Sequence, residues 1–132
     1  MTFFSELIVA DVSENFLRFE SFGAFPVLQD LRIACNSIRQ IGELHGFAWL
    51  MYLDLSYNQL DIASVSRLDG LVNLKEIDLS GNNLGGLPAT MSSFKKLEKI
   101  VLDYNRIEDD SVFSALSTMV RTVLSTHHIN IC

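Results

Sequence analysis

The sequence predicts an α/β solenoid of about six repeats, with a curved parallel β-sheet on its concave side and short helices, 3-10 turns and loops on its convex side. Three observations carry that expectation. A fixed spacing of aliphatic residues closed by an asparagine recurs along the chain. The middle of each copy alternates apolar and polar residues. Two further apolar columns run ahead of the copies in the same register.

Four copies are unambiguous. Leu28, Leu31, Ile33, Asn36 and Ile38 are followed 22 residues later by Leu50, Leu53, Leu55, Asn58 and Leu60. Leu74, Ile77, Leu79, Asn82 and Leu84 make the next copy, and Leu97, Ile100, Leu102, Asn105 and Ile107 the one after. The same template finds a weaker first copy at Leu7, Ala10, Val12, Asn15 and Leu17, and a weaker last one at Met119, Thr122, Leu124, His127 and Ile129. Three residues ahead of each copy stand Phe4, Phe25, Phe47, Leu71, Phe94 and Leu116; three residues earlier again stand Met1, Phe22, Leu44, Leu68, Met91 and Phe113. Neither column was needed to find the copies, so their agreement is an independent check.

Each element follows from this pattern. A run such as Leu53-Asp54-Leu55-Ser56 has the period of a short strand with one buried face, and strands of successive copies should stack in parallel. The two leading columns cover the core from the convex side, so no repeat can bury its apolar face without a neighbour. Each asparagine falls where the chain leaves the strand and turns inward, a buried position where one amide can donate to and accept from the backbone of the turn. His127 breaks this ladder in the sixth copy, and a looser final turn is expected there. Between the copies, segments 61–68 and 109–116 open with helix-capping aspartates, whereas Gly85-Gly86-Leu87-Pro88 reads as irregular.

These residues resemble the leucine-rich-repeat family, whose pattern L-x-x-L-x-L-x-x-N-x-L is matched cleanly four times and approximately twice over nearly the whole chain. Leu87-Pro88 and Phe94 after Asn82 are similar to the intracellular class with repeats of 21 to 24 residues. The resemblance implies a non-catalytic scaffold that binds a protein partner on its concave sheet. It also implies two alternatives: a regulatory or targeting subunit of an enzyme complex, and a structural segment of a larger assembly.

Composition narrows the setting. A chain of 132 residues, 48% apolar, is the size of one domain, and no linker or low-complexity stretch divides 1–132. Sixteen acids against ten bases give a net charge of -6, which disfavours a phosphate backbone and favours a basic segment in a protein partner. The two cysteines, Cys35 and Cys132, have no paired spacing, no signal peptide is recognised in 1–10, and no Asn-x-Ser/Thr sequon occurs; the expectation is an intracellular protein, cytoplasmic or nuclear. No apolar run reaches the roughly 20 residues that span a bilayer. The chain begins almost inside its first copy and stops without a polar cap after Ile129-Asn130-Ile131, so a fragment or short isoform of a longer protein is expected.

The concave face is the candidate site. Positions three, five, seven and eight of the template should be exposed there, which places Asp30, Arg32, Tyr52, Asp54, Tyr57, Glu76, Asp78, Lys99, Asp103 and Tyr104 on one surface. Ser13, Ser56 and Ser80 fall on the same positions, with Cys35 and Gly81. Tyrosines on an acidic strip suit an interface, because each buries a large ring and keeps a hydroxyl bonded. For any single aspartate a local role competes, since Asp-Val-Ser at Asp11 and Asp-Leu-Ser at Asp54 and Asp78 look like polar groups solvating strand edges. Trp49 is expected to pack on the convex segment, and Lys95, Lys96 and Lys99 to be a solvated face.

Catalysis and cofactors are not expected. His127 and His128 are neighbours that point to opposite faces and cannot jointly hold one metal in the usual way; Cys132 adds little. Cys35 has only Arg32 as an activating cation, and reads as a small semi-buried thiol. Gly81, Gly85 and Gly86 lack the Lys-Ser/Thr of a phosphate loop.

Overall fold

The computed structural model describes residues 5–19, 25–42, 44, 46–108, 111–117 and 123–125. Its strands are three residues long and all parallel: β1 (Val9–Asp11), β2 (Asp30–Arg32), β3 (Tyr52–Asp54), β4 (Glu76–Asp78), β5 (Lys99–Val101) and β6 (Val123–Ser125) pair in sequence order. The register aligns the repeats without slippage, Ala10 beside Leu31, then Leu53, Ile77, Ile100 and Leu124. From β1 to β5 the middle residue of each strand therefore points inward and its two neighbours outward. Leu31, Leu53, Ile77 and Ile100 are buried, and Leu28, Leu50, Leu74 and Leu97 before them and Ile33, Leu55, Leu79 and Leu102 after them complete the core layer.

The two leading columns have a backbone explanation. Phe47, Leu71 and Phe94 each donate an N–H to the carbonyl three residues back, at Leu44, Leu68 and Met91, and Leu50, Leu74 and Leu97 do the same to Phe47, Leu71 and Phe94. Successive i to i+3 turns eclipse side chains three residues apart, so two apolar residues at that spacing face the core together. Phe47, Leu68, Leu71, Met91 and Phe94 are buried, and Phe25, Leu44 and Leu116 pack against them half-buried. Phe19, fully buried with its ring 5.3 Å from that of Phe47, joins this layer from the first repeat. Met1, Phe4 and Phe22 lie outside the described residues.

On the convex side the connections differ. Helix α1 (Ile62–Ser66) starts at Asp61, whose Oδ1 accepts from the Ser64 N–H at 2.8 Å, and runs on into a 3-10 turn at Arg67–Gly70. The buried Ser64 hydroxyl is shared between the Arg39 carbonyl, at 2.6 Å, and Asp61 Oδ1, at 2.8 Å, and ties the helix to the preceding repeat. The segment from Gly85 to Pro88 is irregular and leads into a 3-10 helix at Ala89–Ser93; α2 (Ser111–Ser117) covers the next connection, with Val112 buried. Trp49 departs from expectation. It is 60% exposed rather than packed on the convex segment, because Leu50 and Phe47 already fill the core on either side of it.

Candidate partner-binding face

Strand pairing sets two outward rows side by side. One runs Val9, Asp30, Tyr52, Glu76, Lys99; the other runs Asp11, Arg32, Asp54, Asp78, Val101. Adjacent strands lie about 4.8 Å apart, so these side chains form a near-continuous surface. Its centre is a shallow trough of about 190 Å³, along the base of which run the β3 and β4 backbones at Leu53 and Ile77. Seven of the ten predicted site residues line it: Asp30, Arg32, Tyr52, Asp54, Glu76, Asp78 and Lys99. Tyr57, Asp103 and Tyr104 stand beyond the strands, at the turns that lead away from them.

The charges divide unevenly. Arg32 is held by Asp30, with Nη2 to Oδ2 at 3.3 Å and Nε to Oδ1 at 3.4 Å, and that carboxylate keeps the guanidinium above its ordinary value. The base in the acidic part of the strip is thus locally compensated, and Asp54, Glu76 and Asp78 remain gathered beside Tyr52. Lys99, in register beside Glu76, limits this acidic zone at the fifth strand.

Three aspartates also have the local role. Asp54 Oδ1 accepts from the Ser56 N–H at 2.9 Å and the Ser56 hydroxyl at 2.6 Å, and Asp78 holds Ser80 the same way. Asp11 Oδ1 accepts from the Ser13 N–H, and the serine's N–H and hydroxyl hold the Asp11 carboxyl below its ordinary value. Ser56 and Ser80 are consequently buried, which corrects the expectation that they share the exposed face. A serine two residues after an aspartate bends back to it, so alternation ends at the strand's last residue. In Asp54 and Asp78 Oδ1 fixes the turn, and the other oxygen has no hydrogen-bond partner among the described residues.

The corner two residues after each core leucine, isoleucine or valine of the strand exit was not foreseen. Glu14, Cys35, Tyr57, Gly81 and Tyr104 occupy the same template position, and all have left-handed backbones, with φ between 52° and 64°. Before the chain swings out, the N–H of this residue extends the ladder, as in Tyr57 to the Ser80 carbonyl at 2.7 Å and Gly81 to the Asp103 carbonyl at 2.8 Å. The swing delivers the next residue, asparagine, into the core. Asn58 Oδ1 accepts from the N–H groups of Asn36 and Ile38, while its amide donates to the carbonyls of Ile33, Leu55 and Ser56. Asn36, Asn82 and Asn105 repeat the pattern. Glycine at position 81 was the one sequence signal for a left-handed corner. Cys35, expected semi-buried, is exposed there.

At this corner Tyr57 and Tyr104 project from the lip of the sheet, 54% and 55% exposed, with ring centroids 6.5 Å apart. Gly81 lies between their repeats. Among the described residues no three His, Cys, Asp or Glu side chains gather as metal ligands, and no helix is long and apolar enough to cross a membrane. His127, His128 and Cys132 lie outside the described residues.

A stack of parallel strands in sequence order, an internal asparagine ladder and two apolar columns on the outer side define a solenoid repeat protein. The Leucine rich repeat profile matches residues 50–107, and the chain belongs to the leucine-rich-repeat family. Relatives include X-ray radiation resistance-associated protein 1 of Mus musculus, 34% identical over 137 residues, which cover 89% of this chain and 17% of that protein. Lumican of Rattus norvegicus is 40% identical over 67% of this chain and 26% of its own length. PH domain leucine-rich repeat-containing protein phosphatase 1 of Homo sapiens is 33% identical over 62% of this chain and 5% of its own length. The chain thus spans a quarter or less of most of these relatives. Among solved structures, an internalin C2 from Listeria monocytogenes superposes with a TM-score of 0.75 over 99% of this chain and 60% of that one, at 21% identity, which shows a common fold.

Proposed function

We propose that this chain is a non-catalytic interaction module that holds a protein partner on its concave face by a basic segment of that partner. Leucine-rich repeats generally serve as protein-protein interaction modules. The observation that carries the finer reading is the trough itself: the partly exposed ring of Tyr52 stands on the sheet among Asp54, Glu76 and Asp78, while Arg32 is compensated by Asp30. A partially exposed ring beside three carboxylates matches an aliphatic stem carrying a positive head. The cytoplasmic or nuclear setting and the single-domain organisation of 1–132 belong to the same reading, supported by cysteine usage and by the uninterrupted register of the repeats.

Affinity capture from lysate with three baits tests it. Tyr52→Ala/Glu76→Lys alters the trough, and Asp69→Lys/Val72→Ala makes a matched change of charge and apolar surface on the exposed convex side. A partner retained by the wild type and the convex variant and lost from the trough variant is expected. Equal retention by all three baits would overturn the concave reading. One relative is named a phosphatase, which favours a second reading, a regulatory or targeting part of an enzyme complex; a captured partner whose catalytic rate changes on binding would establish it. The mouse relative's name supports placing the module in a longer protein associated with X-ray resistance. In that setting the trough variant should sensitise cells to X-rays, and unchanged survival would remove it.

A further inference from the structure

We propose that Tyr57 and Tyr104 form an arginine-selective anchor at the lip of the concave sheet, an inference that rests on the basic-segment reading above. The two residues belong to repeats separated by the one that carries Gly81, and their ring centroids are nevertheless only 6.5 Å apart, with planes inclined by 35°. Gly81 makes this possible. A Cβ there would stand 2.5 Å from Tyr57 Cδ1, so the ring of Tyr57 lies across bare backbone at residue 81 and leans toward Tyr104. Both rings sit on left-handed corners whose N–H groups or neighbouring carbonyls are engaged in the sheet, which fixes their roots.

The dimensions choose the ligand's mode. A planar group sandwiched between two rings needs roughly 7 Å between them, twice a carbon contact distance. At 6.5 Å the gap between the rings is too narrow, and a ligand meets instead the solvent-exposed part of each ring, 54% of Tyr57 and 55% of Tyr104. The strand residues leading into these corners supply the charge. Asp54 lies three residues before Tyr57 and Asp78 three before Gly81, each with one carboxylate oxygen occupied by its serine and the other without a hydrogen-bond partner among the described residues. A guanidinium is flat, weakly hydrated and able to stack on a ring while donating in its plane to a carboxylate. A lysine ammonium is compact, strongly hydrated and does only the second well. Exposed aromatic surface on the corners that follow half-occupied carboxylates by three residues therefore favours arginine over lysine.

Binding of fluorescein-labelled nona-arginine and nona-lysine, measured by anisotropy on the full chain, tests the anchor. The wild type should bind the arginine peptide roughly two- to fivefold more tightly than the lysine peptide. Tyr57→Leu/Tyr104→Leu should bring the two affinities together, whereas Tyr57→Phe/Tyr104→Phe, which keeps the rings, should preserve the preference. Gly81→Ala, which displaces the Tyr57 ring, should weaken it. Equal affinities in the wild type, or a preference that survives the leucine variant, would overturn the anchor and leave the basic-segment reading standing. Binding of neither peptide would overturn both.

Discussion

The ring of Tyr57 lies across Gly81, where an added Cβ would meet Tyr57 Cδ1 at 2.5 Å and Cε1 at 2.8 Å. Residue 81 also has φ +64°, a conformation that costs an ordinary L-residue about 1–2 kcal/mol. Gly81→Ala should therefore destabilise the chain by two separable effects, backbone strain and displacement of the ring. A double-mutant cycle with Tyr57→Ala in urea denaturation separates them. The cost of Gly81→Ala should fall in the Tyr57→Ala background, leaving the strain; an unchanged cost would mean that the ring does not rest on residue 81.

The asparagine ladder predicts a graded response. Asn58 is buried and accepts from two backbone N–H groups, at 3.0 Å from Asn36 and 2.9 Å from Ile38. Truncation leaves both donors buried without a partner, each at about 1–3 kcal/mol. Asn58→Ala should thus cost about 2–6 kcal/mol on unfolding. Asn15, exposed at the first repeat, donates to Val12 and Ser13 carbonyls that water can also reach, and Asn15→Ala should cost under about 1 kcal/mol. Equal losses would show that the ladder acts through the turn alone and not through burial.

Much of this architecture was legible from single residues. Leu53, Ile77 and Ile100 could be placed inward because strand period and repeat register agree, and Phe47 with Leu44 because two turns of three residues leave no other face. Seven site residues gathered as expected for the same reason. Ser56 and Ser80 were misplaced because an aspartate two residues earlier draws each serine inward, and that local bond overrides alternation. Trp49 and Cys35 misled because size and apolarity say what a side chain would favour, whereas exposure at their positions is fixed by neighbours that already fill the core and by a left-handed corner. The proximity of Tyr57 to Tyr104 was hidden, since nothing in the spacing tells that one ring leans across the intervening glycine.

Cys35 occupies the same left-handed corner as Gly81, with φ 55°, and exposes its thiol. Glycine there removes the strain, about 1–2 kcal/mol, and adds unfolded-chain entropy worth roughly 0.5–1 kcal/mol. Cys35→Gly should therefore leave stability unchanged or raise it by up to about 1.5 kcal/mol in urea denaturation, an unusual result for a truncation. Cys35→Val, β-branched and ill suited to positive φ, should lower it. A clear loss with glycine would mean that the side chain makes a stabilising contact.

Asp61 sets a pH dependence whose sign follows from its bonds. The Ser64 N–H, then the Ser64 hydroxyl, hold its carboxyl below the usual range in the folded chain. A lowered folded value means that the unfolded chain binds the proton more tightly, so the cap's charged form stabilises the fold above the unfolded value of about 3.9. That contribution declines as pH falls through this value and is gone below the folded one. At neutral pH, Asp61→Ala should cost about 1 kcal/mol, the usual worth of such a cap, while Asp61→Asn keeps an acceptor and loses less. Urea denaturation of wild type and Asp61→Asn at pH 6, 4.5 and 3 should show their difference shrinking toward zero with acid. A difference that stays constant or grows toward pH 3 would show that the carboxylate is not the group whose charge Ser64 stabilises.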